Sequence, residues 1–462
     1  MPALSLGEIV AATGGNLLRG KPDTVVDSFD IDTRRTRRGG LFFALKGTRA
    51  DGHKFLADAA RAGADAAIVE REPEGGAPPA IIQVASAEAA LTACGVLARE
   101  KCSAKFIAVT GSVGKTTTKN LIAAGLSATR RVHRTDGNRN NHLGVPLTLL
   151  ACPDDAEMAV VEMGMNAPGE IAHLAKLTRP DVALVTNVRV AHMEFFASLD
   201  EIAAAKGELF AVLRREATSV VNLDDEQLRV QSARHAGPRV TFGRNGSADV
   251  ILESFRDRLV PGASLVYRHG GRSRGLQLQL AGAHNAWNAT AALATVLAAG
   301  EEPDAAVEAM SRLEPGPGRC RVHRLDAGVV VIDDSYNSSP EALAAILQTL
   351  RHCHPAGRKI VVMGDMLELG PRETTYHREA GRRAAQVGVH ILVGVGPRAR
   401  AALDVARKAG VPETRHEKDA TAAAETLPGL VRPGDLLLIK GSRSVGLEKV
   451  VEALLQVTVE AH

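Results

Sequence analysis

The sequence predicts an α/β protein of three domains: a small N-terminal α/β domain, a central P-loop-type parallel-sheet domain and a C-terminal Rossmann-like doubly wound domain. Three observations carry this expectation. Strand-length apolar runs alternate with Ala-rich helical stretches along the chain. One run, Phe106 to Thr110, leads straight into Gly111-Ser112-Val113-Gly114-Lys115-Thr116. The break Glu314-Pro315-Gly316-Pro317-Gly318 then separates two series of buried-strand patterns. The length, 462 residues, allows roughly three domains at about 150 residues each.

Residues 1–84 alternate the strand patterns Gly40 to Leu45, Ala66 to Val69 and Ile81 to Val84 with helical stretches such as Phe55 to Ala62, and Glu72 to Pro79 reads as a loop. A long helix pattern, Ala87 to Lys101, opens the second unit, 85–314. Its strands Phe106 to Thr110, Met158 to Met163, Val182 to Asn187 and Ser219 to Asn222 are near-continuous apolar runs, as expected of a parallel sheet covered on both faces. Residues from about Val240 to Leu280 read as an antiparallel extension. In the third unit, 315–462, four buried-strand patterns recur between helices: Val329 to Asp334, Lys359 to Gly364, Ile391 to Gly394 and Asp435 to Lys440.

Fifty-six basic and 53 acidic residues give a formal charge of +3 with the signs interspersed, so no basic field points to nucleic acid. The cluster Arg34-Arg35-Thr36-Arg37-Arg38 is the local exception. Five cysteines without a C-x-x-C pair argue against a disulfide framework and against zinc. No leader-like segment stands at Met1 to Gly20 and no run reaches about 18 apolar residues, so the expectation is a cytoplasmic protein without membrane insertion.

The glycine-lysine turn is where the chemistry starts. Backbone N–H groups of Gly111, Ser112, Val113 and Gly114 can close on phosphate oxygens, Lys115 adds a mobile positive charge, and the Thr116 and Thr117 hydroxyls can meet the phosphates and a magnesium ion. This predicts ATP binding. Val109 stands where the common motif has its first glycine, which implies a different nucleotide-loop family. Glu162, His192 and Lys206 stand at or after strand ends of the same sheet, where carboxylate and imidazole could complete a magnesium shell.

Taken in order, Thr110 to Thr116, Glu162-Met-Gly, Asn187 to His192 and Ala205-Lys206-Gly207-Glu208 resemble the ATP-dependent Mur ligases of bacterial cell-wall synthesis. The resemblance continues through Gly282-Ala-His-Asn285-Ala-Trp-Asn288, Pro317-Gly318-Arg319 and Asp333-Asp334-Ser335-Tyr336-Asn337, and so covers all three units. Further phrases are most similar to the branch of that family that adds D-alanyl-D-alanine. They are Asp32-Thr33-Arg34, Gly40 to Gly47, Asp51 to Phe55, Gly137 to Pro146, Asp334 to Pro340, Gly364 to Gly370 and Lys440 to Arg443. Arg139, where the family usually has an apolar residue, and Ser338-Ser339 are departures beside substrate regions.

The resemblance implies that ATP phosphorylates the carboxylate of a UDP-muramoyl tripeptide and that the dipeptide amine then attacks the acyl phosphate. Lys115, Glu162, His192 and Lys206 would carry the catalysis, with Thr116, Glu162, His192 and a carbamylated Lys206 around two magnesium ions. It also implies nucleotide contacts for Asn285, Asn288, Arg319 and Asp334; Asp334 is taken over Asp333 because the aspartate preceding Ser335 matches the family loop better. The UDP part falls to Ser28, Asp32, Arg34, Lys46, Asn138 and Asn141, and the dipeptide to Tyr336, Asn337 and Ser338. A monomer acting on small molecules is expected. The alternatives are a sister ligase adding a single amino acid, and a nucleotide-driven switch that only hydrolyses ATP.

Overall fold

The computed structural model describes residues 3–47, 50–189, 196, 198–258 and 262–457. Three large sheets follow one another along the chain, beside a two-stranded pair of Leu4–Ser5 with Val25–Val26. The first has five strands in the order Asn16–Arg19, Ala80–Gln83, Ala64–Val69, Gly40–Phe43 and Ser28–Asp30, all parallel except the first. Helix Ala87–Lys101 sends Ala87, Ala90, Leu91, Cys94 and Ala98 into the core of this sheet, with Leu147 and Leu150 of the following unit.

The second sheet has nine strands and Lys105–Thr110 lies inside it, between Val182–Val185 and Met158–Glu162. Alternate residues of that strand serve different cores. Ile107 and Val109 pack with helices Lys115–Leu126 and Ala283–Ala298, whereas Phe106 and Ala108 face the side covered by Glu170–Thr178 and Leu199–Ala211. Burial on both faces explains the continuous apolar run. Truncating Ile107 to alanine would cost about 2–5 kcal/mol.

The expected antiparallel extension is confined to Ser264–His269 and Arg272–Gln277. Arg239–Gly243 and Val250–Arg256 still pair parallel to the main sheet. The third sheet orders Arg321–Arg324, Val330–Asp334, Leu436–Lys440, Lys359–Gly364, Ile391–Val395 and Glu413–Glu417, with only the first antiparallel. The sequence showed the four central strands. The two edges, Arg-Val-His-Arg and Glu-Thr-Arg-His-Glu, are polar because an edge strand is half solvated and gains from charges that discourage further pairing.

Strand register decides what meets what. Glu162 pairs with Val109, and Val185 with Thr110, so the polar ends of three strands emerge at one edge beside the nucleotide loop.

Candidate active site

The loop after Thr110 is held by the neighbouring strand end. Ser112 N–H donates to Asn187 O at 3.0 Å and Val113 N–H to Asn187 Oδ1 at 3.2 Å, while the Val113 carbonyl accepts from Thr186 Oγ1 at 2.8 Å and Asn187 Nδ2 at 2.9 Å. Gly114 has φ +81°, and a Cβ there would lie 2.4 Å from Asn288 Oδ1. Glycine is required on both counts. The 12-residue helix Lys115–Leu126 begins at this point and aims its N-terminal N–H groups and dipole at the loop. Lys115 Nζ donates to Gly111 O at 2.8 Å. Burial lowers the Lys115 pKa, against the pull of Glu162 and with a further push from Arg319.

Glu162 is the hub of this edge. Its Oε1 accepts from Thr116 Oγ1 at 3.1 Å and Asn140 Nδ2 at 2.8 Å, and its N–H donates to Thr135 Oγ1 at 2.9 Å. Its Oε2 is buried without a hydrogen bond and stands 3.6 Å from Lys119 Nζ. Lys119 is itself buried and donates to Thr135 O at 2.8 Å. Neither Asn140 nor Lys119 was singled out from the sequence. The available signal for Lys119 was its spacing of four from Lys115, which places both on one helix face.

Lys206, on helix Leu199–Ala211, is 1% exposed, and among the described residues no hydrogen bond or ion pair reaches its Nζ. Burial first, and the Lys115 charge second, hold this amine well below the usual lysine range. His192 lies outside the described residues.

The last domain reaches the loop through Arg319. Its Nη2 donates to Thr116 Oγ1 at 3.2 Å, and its guanidinium lies 4.1 Å over the Tyr336 ring, with Arg443 at 5.4 Å. Asp333 is committed to its own turn: it accepts from Gly318 N–H at 2.9 Å and Ser335 Oγ at 2.6 Å. Asp334 instead accepts from Lys440 Nζ at 2.6 Å, and the same ammonium donates to Asn337 O at 2.9 Å. Ser338 Oγ is buried and unpartnered.

Asn285 and Asn288 are buried on helix Ala283–Ala298. Asn288 Nδ2 donates to Asn285 Oδ1 at 2.9 Å, and Asn285 Nδ2 to Ala281 O at 2.7 Å, so the pair backs the loop at Gly114. At the junction of the first two domains, Arg139 Nη2 donates to the buried Asp30 at 3.1 Å, and Arg35 bridges Asp30 at 3.5 Å and Asp136 at 3.0 Å. The arginine at 139 thus answers a carboxylate of the other domain. Ser28, two residues before Asp30 on the same strand, is buried. Arg34, 86% exposed, pairs with Asp32 at 2.6 Å, which lowers the Asp32 pKa. Lys46 lies opposite Asp51 in an isolated antiparallel backbone bridge, Asn138 is exposed, and Asn141 Oδ1 accepts from Gly144 N–H at 2.9 Å at the start of the helix Gly144–Leu150.

A loop held at a helix N-terminus, a carboxylate hub and an arginine supplied by a separate domain are the parts that a nucleotide-dependent ligase needs. The chain matches the Mur ligase family, catalytic domain over residues 26–101, the Mur ligase middle domain over 109–296 and the Mur ligase, glutamate ligase domain over 318–443. It belongs to the Mur ligase family of ATP-dependent ligases. It is 35% identical to the UDP-N-acetylmuramoyl-tripeptide–D-alanyl-D-alanine ligase of Bacillus subtilis (strain 168), with 94% of each chain covered. The Escherichia coli (strain K12) enzyme of that name is 34% identical over 98% of this chain and 99% of its own. A crystal structure of MurF from Acinetobacter baumannii superposes with a TM-score of 0.87 at 32% identity over 99% of both chains. That of MurF ligase from Thermotoga maritima in complex with ADP gives 0.78 at 31% over 93% and 97%. Mycobacterium tuberculosis folylpolyglutamate synthase, at 19% identity and a TM-score of 0.64 over 80% of this chain and 95% of its own, shares the fold.

Proposed function

We propose that this protein joins D-alanyl-D-alanine to a UDP-N-acetylmuramoyl-tripeptide, with ATP cleaved to ADP and phosphate through an acyl-phosphate intermediate, in the synthesis of peptidoglycan precursors. One observation carries the reading within the site: Arg319 of the last domain donates to Thr116 of the nucleotide loop while stacking on Tyr336, so the phosphate site and the loop expected to hold the dipeptide share one side chain. Relatives matched along nearly the whole chain support the same substrates.

The obstacle is charge. A carboxylate must approach the γ-phosphate, and two like unit charges about 4 Å apart repel by about 4 kcal/mol at a near-surface effective dielectric, roughly a thousandfold in rate. Lys115 and Arg319 bring positive charge to the transferring phosphoryl group, and the loop N–H groups hold its oxygens in line. Closure of the last domain keeps water from the acyl phosphate until the amine attacks. Tyr336, Asn337 and Ser338 are assigned to the dipeptide, with the free Ser338 hydroxyl available to it. Asp334 is assigned to the ribose, Asn285 and Asn288 to the nucleotide side, and Ser28, Asp32, Arg34, Lys46, Asn138 and Asn141 to the UDP end.

The hydroxyl of Thr116 and the Glu162 Oε2, which accepts no hydrogen bond, suit a hard divalent cation that takes its remaining ligands from phosphates and water. Magnesium bound there would supply charge neutralisation at the phosphate oxygens. The depressed Lys206 amine suits carbamylation, in which carbon dioxide adds to the neutral nitrogen and leaves a carboxylate-like group; His192 is assigned to the same side. Domain limits of 1–84, 85–314 and 315–462, a monomeric state, a cytoplasmic location and a role in cell division complete the proposal. Among the described residues no helix is long and apolar enough to cross a membrane.

The test is phosphate release from ATP with magnesium and UDP-muramoyl tripeptide, comparing D-alanyl-D-alanine with single amino acids, and mass spectrometry of the product. Dipeptide-dependent release with a UDP-muramoyl pentapeptide is expected. A single amino acid accepted instead would make this a sister ligase, and release without an amide a switch ATPase.

A further inference from the structure

Two thiols that the ligase chemistry does not use face each other. Cys102 closes helix Ala87–Lys101, Cys152 lies just beyond helix Gly144–Leu150, and their Sγ atoms are 3.5 Å apart although the residues are 50 apart in the chain. A disulfide needs an approach to about 2.05 Å, a small movement for two residues that lie outside helices and strands. The two are unequal. Cys102 is half-buried, and its N–H and carbonyl are tied at the helix end by Ala98 and by Arg99 Nη1 at 3.3 Å. Cys152 is 1% exposed.

Their environments give them different protonation. The hydrogen bond shared with Cys152, outweighing burial and helped by the Ala104 N–H and the Arg99 charge against Asp154, lowers the Cys102 thiol pKa. Hydrogen bonding to Cys102 and burial push Cys152 up. The outer, more accessible sulfur is thus the one favoured as thiolate and the inner one is held against it as a thiol, the arrangement of an attacking and a resolving cysteine.

We propose that Cys102 and Cys152 form a peroxide-reactive dithiol site that closes to an intramolecular disulfide. The Cys102 thiolate attacks the peroxide O–O bond, giving a sulfenic acid and hydroxide, which takes up a proton to become water. The Cys152 sulfur then displaces the sulfenic hydroxyl as water and loses its own proton. Two thiols are oxidised by two electrons and one hydrogen peroxide becomes two waters. A dithiol reductant reverses the bond.

Position sets the consequence. Both cysteines precede the starts of strands Lys105–Thr110 and Met158–Glu162, whose first residues Lys105 and Met158 pair, whereas the nucleotide loop and Glu162 lie at the other ends. Five or six residues of strand separate them, about 17–20 Å. The cross-link would therefore constrain the unfolded chain over its 50-residue span without touching the ligase site.

The test treats the reduced full-length protein with stoichiometric hydrogen peroxide, blocks remaining thiols with N-ethylmaleimide and maps the peptides by mass spectrometry. Before blocking, a mass lower by about 2 Da, and after it a linked Cys102–Cys152 peptide, are expected before Cys94, Cys320 or Cys353 reacts, since burial raises the pKa of each of those three. Cys152→Ser should accumulate a dimedone-reactive sulfenic acid at Cys102, and Cys102→Ser should leave Cys152 unreacted. The unfolding midpoint should rise on oxidation and return with dithiothreitol, with ADP affinity unchanged. Earlier oxidation of Cys353, or oxidation of Cys102 without a linked peptide, would overturn the proposal.

Discussion

Gly114→Ala probes how the loop is held. The residue sits at φ +81°, and its new Cβ would meet Asn288 Oδ1 at 2.4 Å, about 1 Å inside ordinary contact. Two costs follow. A left-handed backbone at alanine costs about 1 kcal/mol. Displacing Asn288 breaks its buried 2.9 Å bond to Asn285, worth about 1–2 kcal/mol. The sum, about 2–3 kcal/mol, corresponds to ADP binding weakened roughly 30- to 150-fold. Isothermal titration with ADP and magnesium reads this directly. The same change made in an Asn288→Ala background meets no amide, so only the backbone cost should remain, about fivefold. Equal losses in both backgrounds, or a loss under twofold for the single variant, would refute the account of the loop as packed against Asn288.

Three further outcomes follow from other parts of the site. Lys119→Met should leave Glu162 buried without its cation and the Thr135 carbonyl without a donor, costing about 3–5 kcal/mol and lowering the unfolding midpoint by about 6–10 °C in calorimetry; a drop under about 2 °C would contradict it. Lys206→Met should abolish ligation yet stabilise the fold. The folded amine lies well below the ordinary 10.5, so between those values the unfolded chain binds the extra proton and wild-type stability rises with pH. The variant should lose that rise on the acid side of 10.5, and thermal unfolding against pH, with carbon dioxide excluded so that the amine stays free, would show it; an unchanged slope would place the effect elsewhere. Arg319→Ala removes the bond to Thr116 and the contact with Tyr336. It should lower kcat/KM at least tenfold (~1.4 kcal/mol or more) with the unfolding midpoint nearly unchanged, and a midpoint shift without a rate effect would make it merely structural.

Much of this was readable before any coordinates. The loop was legible because its residue types have few other reasons to follow a buried strand, and Glu162 because it ends another such strand. Edge strands such as Arg321–Arg324 and Glu413–Glu417 were not, since a half-solvated strand lacks the apolar run that reveals a buried one. Asn140 stood within the asparagine-rich turn where Asn138 and Asn141 drew attention, and nothing in spacing distinguishes the amide that meets Glu162 from the one that caps a helix.

Local chemistry along the chain was therefore enough for fold class and family, because periodicity and short motifs act over a few residues. Only the tertiary structure decided which charges share one low-dielectric space. Lys119 meets Glu162 at 3.6 Å across 43 residues, Arg319 reaches Thr116 across 203, and Arg139 answers Asp30 across 109. Such pairings depend on how sheets and domains close on one another, and burial then gives them energies that an exposed pair of the same residues would not have.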